Sequence, residues 1–95
     1  MTLEFDWDEK KNFSNFKKHG IWFEEVTSVF DDPLGRLFFD SHHSDDESRF
    51  ILIGMNIARK TLVVVHVYRD NEEKVRIISA RPVTRKERDF YEKGI

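Results

Sequence analysis

The chain has 95 residues, no cysteine and a net charge of −2 at pH 7. These values predict one domain over residues 1–95 and exclude disulfides, zinc–cysteine sites and thiol catalysis. The longest apolar runs, 51–53 and 62–65, are far shorter than the roughly 20 residues that cross a membrane, and the acidic start is unlike a signal peptide. We therefore expect a cytoplasmic protein that contacts no membrane.

Charge is divided unevenly between the two halves of the chain. Residues 1–48 carry five Lys or Arg against twelve Asp or Glu, a net charge of −7, whereas residues 49–95 carry eleven against six, a net charge of +5. A local cluster of cations binds a polyanion whatever the total charge of the protein. Nucleic acid is therefore a candidate partner, although charged residues also simply solvate the surface of a small domain.

The first two predicted elements are a strand and a helix. Residues 3–8 alternate apolar and acidic side chains, a pattern typical of a half-buried strand. Asp8 is placed to cap a helix that ends at Gly20, and its buried side is expected to carry Phe13 and Phe16, three positions apart.

A second helix, a strand and a loop follow. Apolar residues spaced three and four apart over 23–30 predict a short helix that ends before Pro33 and forms a hairpin with the first. Residues 36–40 are typical of a strand, and 41–48 form a polar loop rich in acids and histidines.

The rest of the chain is predicted as sheet, followed by a helix. Three β-rich runs, 49–56, 61–69 and 74–81, are joined by short turns, which favours an antiparallel meander. A helix then begins at Thr84, with Glu87 completing a capping box and Gly94 in the place of a helix-ending residue. The predicted order is β-α-α-β-β-β-β-α, an α+β domain whose N-terminal helical hairpin covers one face of the sheet.

Symmetric turns would place Arg49 opposite Tyr68 and His66 opposite Ile77. Arg49, His66 and Tyr68 would then share one face with Ser79 and Arg81, while the other, apolar face would meet the helical hairpin. A slip of one residue in either turn would reverse this grouping, because strand side chains alternate between faces.

The shared face offers the residue types that RNA cleavage without a metal requires: a base, an acid and cations beside the phosphate. Arg49 and Arg81 are the candidate cations, and His66 is the candidate for proton transfer. Structural alternatives remain open, since His66 also suits a buried structural position and Arg81 an ion pair with Glu87. Tyr91 suits either base stacking or docking of the last helix.

The loop over 42–47 groups two histidines with three acids and so looks superficially like a metal site. It has neither HExxH nor EF-hand spacing, and adjacent loop residues rarely converge on one ion. We therefore expect a solvated loop, no metal and no cofactor.

Several segments carry a resemblance to a known family. They are Phe5-Asp6-Trp7-Asp8, Lys18-His19-Gly20, Val29-Phe30-Asp31-Asp32-Pro33, His43-Ser44 with Glu47 and Arg49, and the run from Arg76 to Arg81. Their order and spacing resemble the BrnT family of type II toxin–antitoxin toxins over nearly the whole chain. One departure is Ala58 before Arg59, where the family usually has glycine.

The resemblance implies a RelE-like ribonuclease fold and growth arrest through RNA cleavage, and we expect this cleavage to proceed without a metal. It also implies a BrnA-like antitoxin with a ribbon-helix-helix region, which forms a hetero-oligomer with the toxin, neutralises it and represses the shared promoter. DNA would be contacted only through that complex.

Within this interpretation, the candidate catalytic residues are Arg49, His66, Tyr68 and Arg81, with His66 or Tyr68 in proton transfer. The candidate RNA-binding residues are Arg69, Arg76 and Tyr91. Two other functions remain open. One is a catalytically weak interaction module that acts through its antitoxin and DNA, and the other is a metal-dependent nuclease using the 42–47 loop.

Overall fold

A computed structural model describes residues 3–93, so Gly94, the predicted end of the last helix, lies outside the described residues. The strands and α-helices of this part are β1 (Glu4–Asp6), α1 (Glu9–His19), β2 (Arg36–Phe39), β3 (Arg49–Met55), β4 (Thr61–Arg69), β5 (Lys74–Pro82) and α2 (Arg85–Lys93). Short 3₁₀ helices occupy Phe23–Glu25, Thr27–Asp31 and Ser41–His43.

The strands form one sheet in the order β1-β5-β4-β3-β2. Strands β2 to β5 pair antiparallel with their chain neighbours, whereas β1 pairs parallel with the first part of β5. The α+β class is confirmed, with a sheet of five strands.

The predicted helical hairpin is wrong, because the segment after α1 forms two 3₁₀ helices instead of a second α-helix. Its backbone bonds span three residues, as in Val26 N–H to the Phe23 carbonyl at 3.0 Å and Val29 N–H to the Val26 carbonyl at 2.9 Å. A 3₁₀ helix has three residues per turn, so side chains three apart lie on one line. Phe23, Val26 and Val29 are consequently all fully buried.

The ends of α1 are as predicted, but its buried face is not. Asp8 accepts a hydrogen bond from Lys10 N–H at 2.8 Å, and Gly20 has a φ of 74° that suits a helix-ending glycine. Phe13 and Phe16, however, are 55% and 38% exposed. The buried residues of α1 are asparagines.

Asn15 is a buried polar residue of α1 that faces the sheet because it hydrogen-bonds to the edge of β5. Beyond Arg76, β1 no longer covers the outer edge of β5, and Asn15 takes its place. The Asn15 amide donates to the carbonyl of Ala80 at 2.8 Å and accepts from the Ala80 N–H at 3.0 Å. This side chain therefore satisfies backbone groups that a neighbouring strand would otherwise pair.

Strand register differs from the prediction at both ends of the meander. Arg49 pairs with Val67 rather than Tyr68, because the turn after Asn56 has one more residue than expected and Arg59 adopts a φ of 66°. His66 does pair with Ile77, but an irregularity follows, so that Arg81 pairs with Val63.

The first difference shifts β4 by one residue against β3, and the second shifts it by one residue against the part of β5 beyond Ile77. Arg49, Ser79 and Arg81 consequently stay on one face, while His66 and Tyr68 move to the other. This second face, which we call the helical face, packs beneath α1 and the 3₁₀ helices. Its main core residues are Ile21, Phe23, Val26, Val29, Leu52, Leu62, Val64, Val75, Ile77 and Ala80. A smaller cluster of Ile53, Val63 and Tyr91 joins α2 to the opposite face.

Candidate active site

A cleft of about 450 Å³ lies on the face opposite the helical face. The residues that line it are Asp40, His42, His43, Arg49, Ile51, Val63, Val65, Ile78, Ser79 and Arg81. Apolar side chains of β3, β4 and β5 form part of this lining, and two arginines, two histidines, a serine and the Asp40 carboxylate complete it.

Arg49 and Arg81 enter the cleft from opposite corners. Arg49 begins β3 and Arg81 lies near the end of β5, separated by β4 and by four residues along it. Strand spacing and rise put their Cα atoms roughly 16 Å apart, so a polyanion that crosses the cleft meets both guanidinium groups in turn.

Arg81 is held in place by Glu87, the alternative that the sequence left open. Two hydrogen bonds join the groups, from Nη1 to Oε1 at 2.8 Å and from Nη2 to Oε2 at 2.7 Å. The bonds from Arg81 outweigh partial burial of the carboxylate and lower the pKa of Glu87 to about 2. Glu87 also accepts from Thr84 N–H at 2.8 Å, which confirms the predicted capping box.

His43 and Asp40 form a pair that the sequence interpretation missed. Asp40 is buried directly after β2, and its Oδ2 lies 3.1 Å from Nδ1 of His43. Asp40 is fixed in turn, because its N–H donates to the Arg49 carbonyl at 2.8 Å and its carboxylate accepts from His42 N–H at 3.2 Å. With Nδ1 bound to the carboxylate, a neutral His43 ring has Nε2 as its proton acceptor.

The sequence signal for this pair was the three-residue spacing from Asp40 to His43. A 3₁₀ turn brings side chains three apart onto one line, and the His43 side chain remains 68% exposed beside the cleft. Reading residues 42–47 as a metal-like loop overlooked the carboxylate just before them.

Two smaller depressions lie on either side of the cleft. One is lined by Lys11, Ser14, Asn15, Lys18, His19, Ile78, Ser79 and Arg81. The other is lined by His42, His43, Asp45, Asp46, Glu47 and Arg49. Each shares lining residues with the cleft and therefore adjoins it, and we call the three together the groove.

The groove is cationic along most of its length. Lys11 and Lys18 project from α1 at one end, and Arg81 and Arg49 follow towards the other. Partial burial, together with the charges of Lys18 and Arg81, lowers the pKa of His19 below its usual value. Acidic side chains, including Glu47, occur at the far end, beyond Arg49.

Comparison with known proteins identifies the family. A family model described as "Ribonuclease toxin, BrnT, of type II toxin-antitoxin system" matches residues 7–87. The chain belongs to the BrnT family. The resemblance noted from the sequence is thereby confirmed, and membership makes this chain a ribonuclease toxin of a type II system, in which a toxin has a cognate antitoxin.

The fold is similar to the crystal structure of the Brucella abortus ribonuclease toxin BrnT. The TM-score is 0.66 at 22% sequence identity, over 88% of this chain and 100% of that one. No curated protein sequence matches the chain. The structural likeness therefore concerns the fold of this BrnT-family toxin, and its residue roles rest on its own geometry.

The predicted placement of His66 beside the two arginines is wrong. His66 is fully buried on the helical face, with its ring centre 4.8 Å from that of Phe30 and 5.0 Å from that of Tyr68. Burial lowers the pKa of His66 to about 4, against a weaker opposing effect of its contact with the Val64 carbonyl. This histidine is a neutral core residue, the structural alternative that the sequence left open.

Tyr68 lies on the helical face as well. Its ring packs edge-on against Phe50 at 5.3 Å, and burial, followed by the charge of Glu72, raises the pKa of its hydroxyl. The structure thus separates Tyr68 from Arg49 and Arg81, contrary to the predicted grouping.

Among the residues that the structure describes, those that line the groove do not include the three candidate RNA-binding residues. Arg69 pairs with Glu47 at 2.9 Å, and Arg76 lies 3.3 Å from Asp6. Tyr91 is buried, and its hydroxyl donates to Asp32 at 2.5 Å. Tyr91 therefore docks α2 against the molecule, as the structural alternative proposed.

Within residues 3–93, no three His, Asp or Glu side chains lie close enough together to hold a metal ion. No helix in that part of the chain is long and apolar enough to span a membrane.

Proposed function

We propose that the groove binds single-stranded RNA and that the cleft cleaves it without a metal ion. The observation that carries the proposal is the meeting of two arginines with the His43–Asp40 pair around one cleft. Phosphodiester cleavage requires cations at the phosphate and a proton acceptor at the 2′-hydroxyl, and this arrangement supplies both.

The reaction begins when the ribose 2′-oxygen attacks the adjacent phosphorus in line with the leaving 5′-oxygen. Nε2 of His43 takes the 2′-hydroxyl proton, and the Asp40 carboxylate stabilises the imidazolium that forms. Arg49, at the corner of the cleft that holds His43, stabilises the additional negative charge on the phosphoryl oxygens, and Arg81 binds a neighbouring phosphate and holds the strand in position. The P–O5′ bond breaks, water protonates the leaving oxygen, and the products end in a 2′,3′-cyclic phosphate and a 5′-hydroxyl.

Long-range electrostatics supports delivery of RNA to this cleft. Lys11 and Lys18 extend the positive surface beyond Arg81, so a strand bound at the cleft has further phosphate contacts along α1. Arg69 and Arg76, although paired with acids, contribute to steering at longer distance.

The decisive experiment measures cleavage of a single-stranded RNA by the purified toxin and variants. Arg49→Ala and Arg81→Ala should each lower the rate about 100-fold or more, whereas Arg59→Ala, an exposed arginine in the turn after β3, should leave it within about twofold. Equal rates in all three variants would contradict the proposed site. Cleavage should persist in EDTA, and its loss there would refute metal independence.

We also infer that the cognate antitoxin is a BrnA-like protein with a ribbon-helix-helix region, and that the pair acts as one cytoplasmic hetero-oligomer. The sequence resemblance supports this partner, a RelE-like grouping of the fold and repression of the shared promoter. In this interpretation the ribbon-helix-helix region of the antitoxin is the part of the complex that contacts DNA. A mobility-shift assay should therefore show promoter binding by the complex but not by the toxin alone.

A further inference from the structure

Strand β2 exposes apolar side chains at an edge of the sheet. Leu37 and Phe39 are each 51% exposed and Phe38 is 39% exposed, and β2 is the last strand in the sheet order. Natural proteins usually protect edge strands with charges, proline or covering loops, because an open edge pairs with other chains. An edge with three consecutive exposed apolar residues is therefore typical of a binding surface.

The backbone of β2 is free to accept a further strand. Asp40 N–H donates to the Arg49 carbonyl at 2.8 Å, which fixes the alternation of bonds between β2 and β3. In an antiparallel pair every second residue bonds to its partner, so Phe38 and Arg36 bond to β3. The N–H and C=O groups of Leu37 and Phe39 then point off the edge, where no strand within residues 3–93 pairs with them.

Apolar surface borders this edge on both faces of the sheet. Phe39 packs against Phe50 at a ring distance of 5.6 Å on the helical face. On the other face Phe38 meets Phe90 of α2 at 6.2 Å, and Phe90 is itself 46% exposed. A strand added to β2 would therefore bury apolar side chains alternately on both faces.

Charge distinguishes the kind of partner that fits. Near the start of β2, Asp31, Asp32 and Glu92 border an apolar cavity of about 610 Å³ that also contains Leu34. Negative charge at this surface repels RNA and favours a polypeptide that carries Lys or Arg.

We propose that the β2 edge is the docking site for an extended segment of the cognate antitoxin, with alternating apolar residues flanked by basic ones. The inference rests on the toxin–antitoxin part of the proposed function and not on its catalytic assignments. Strand β2 leads directly into Asp40, which holds His43. An antitoxin segment along β2 therefore ends beside the candidate catalytic pair and is placed to restrict the loop that carries it.

The test compares the full-length toxin with two variants, each measured for affinity to the cognate antitoxin by titration calorimetry. Phe39→Lys introduces a cation at the edge, and we expect it to weaken antitoxin binding by a factor of about 30 or more. Phe13→Lys is the matched control, since Phe13 is 55% exposed on α1, which packs against β5, and strands β4 and β3 separate β5 from β2. Its affinity should stay within about twofold.

Hydrogen exchange provides a second readout that does not depend on a variant folding. The amides of Leu37 and Phe39 should become protected when the antitoxin binds. Unchanged exchange at both amides, or equal affinity of Phe39→Lys and wild type, would overturn the proposal. So would a wild-type dimer that Phe39→Lys converts to a monomer, because a second toxin copy would then occupy the edge.

Expression in cells separates this inference from the catalytic proposal. Phe39→Lys should remain toxic when expressed alone but escape neutralisation by co-expressed antitoxin. If both variants bind the antitoxin as predicted but the wild-type toxin does not cleave RNA, the catalytic proposal is refuted. The proposed docking site is then still supported.

Discussion

Arg81 and Glu87 join the last strand to the last helix through two hydrogen bonds of 2.8 and 2.7 Å. The same carboxylate accepts from Thr84 N–H and so begins α2. Because two nitrogens of the guanidinium are engaged by Glu87, the orientation of Arg81 in the cleft is fixed before RNA arrives. Glu87 is thus a positioning residue for Arg81 as well as a helix cap.

Replacing Glu87 by Gln should separate these two roles. Gln also occurs at this position of capping boxes, so α2 should remain, whereas the ion pair with Arg81 is lost. We expect the free energy of unfolding at pH 7 to fall by about 1 to 2 kcal/mol, a figure reduced for the partial exposure of the pair. RNA cleavage should fall about tenfold because Arg81 is no longer held.

The pH dependence of stability checks the same prediction. The pKa of Glu87 is about 2 in the folded protein, below its ordinary value, so its contribution is complete above about pH 4.5 and is lost as pH falls towards 2. Urea unfolding of wild type and Glu87→Gln should therefore differ at pH 7 and converge near pH 2. A constant difference across that range would contradict the ion pair as its source.

Replacing His43 should test the proton acceptor. We expect His43→Ala to lower kcat about 100- to 1000-fold with little change in KM, the range typical of a lost general base. His42→Ala is the matched control, because His42 is an exposed neighbour in the same turn and its side chain is not paired with Asp40. Equal losses in both variants would point to disruption of the loop rather than to chemistry.

His66 offers a prediction about acid stability. Its pKa is about 4 when folded and about 6.5 when unfolded, so the unfolded chain binds the proton first. The contribution of neutral His66 is complete above pH 6.5 and is lost as pH falls to 4, by on the order of 3 kcal/mol. His66→Phe should remove this slope, measured by urea unfolding at pH 4 to 7, and should keep wild-type RNA cleavage. A large loss of cleavage in a folded His66→Phe would restore His66 as a catalytic candidate.

Tyr91→Phe should loosen α2 without affecting RNA binding. Tyr91 donates to Asp32, which also accepts from the backbone N–H groups of Met55 and Leu34. Loss of this buried bond should lower the free energy of unfolding by about 1 to 2 kcal/mol and leave KM for RNA unchanged. Tyr68→Phe, at a half-buried tyrosine, should change stability by less than about 0.5 kcal/mol. Thermal unfolding of Tyr91→Phe and Tyr68→Phe compares the two changes in stability. A raised KM for RNA in Tyr91→Phe would instead indicate that Tyr91 stacks on a base.

Local patterns in the sequence predicted both ends of α1 and the start of α2. Asp8 and Gly20 bound α1 as predicted, and Thr84 with Glu87 begins α2, because capping depends on residues within one turn of each other. Apolar spacing located the segment over 23–31 but did not distinguish an α-helix from 3₁₀ turns, since a spacing of three suits both.

The candidate site was predicted in part. Arg49 and Arg81 were correctly placed on one face because two register differences of one residue cancelled between β3 and β5. His66 and Tyr68 on the intervening strand were misplaced for the same reason. The His43–Asp40 pair went unnoticed because its geometry depends on a short turn beside β2.

The sequence by itself determined the number of strands and their order along the chain, because these follow from local spacing and residue type, and the order of its motifs indicated the family. It named the two cleft arginines by residue type, but their shared face depended on two register differences that cancelled. Only the tertiary structure decided which groups meet. A strand turns its whole set of side chains over with a shift of one residue, and that shift is set by a three-residue turn and one irregularity in β5. The same long-range packing buried His66, exposed the apolar edge of β2 and brought Asp40 to His43.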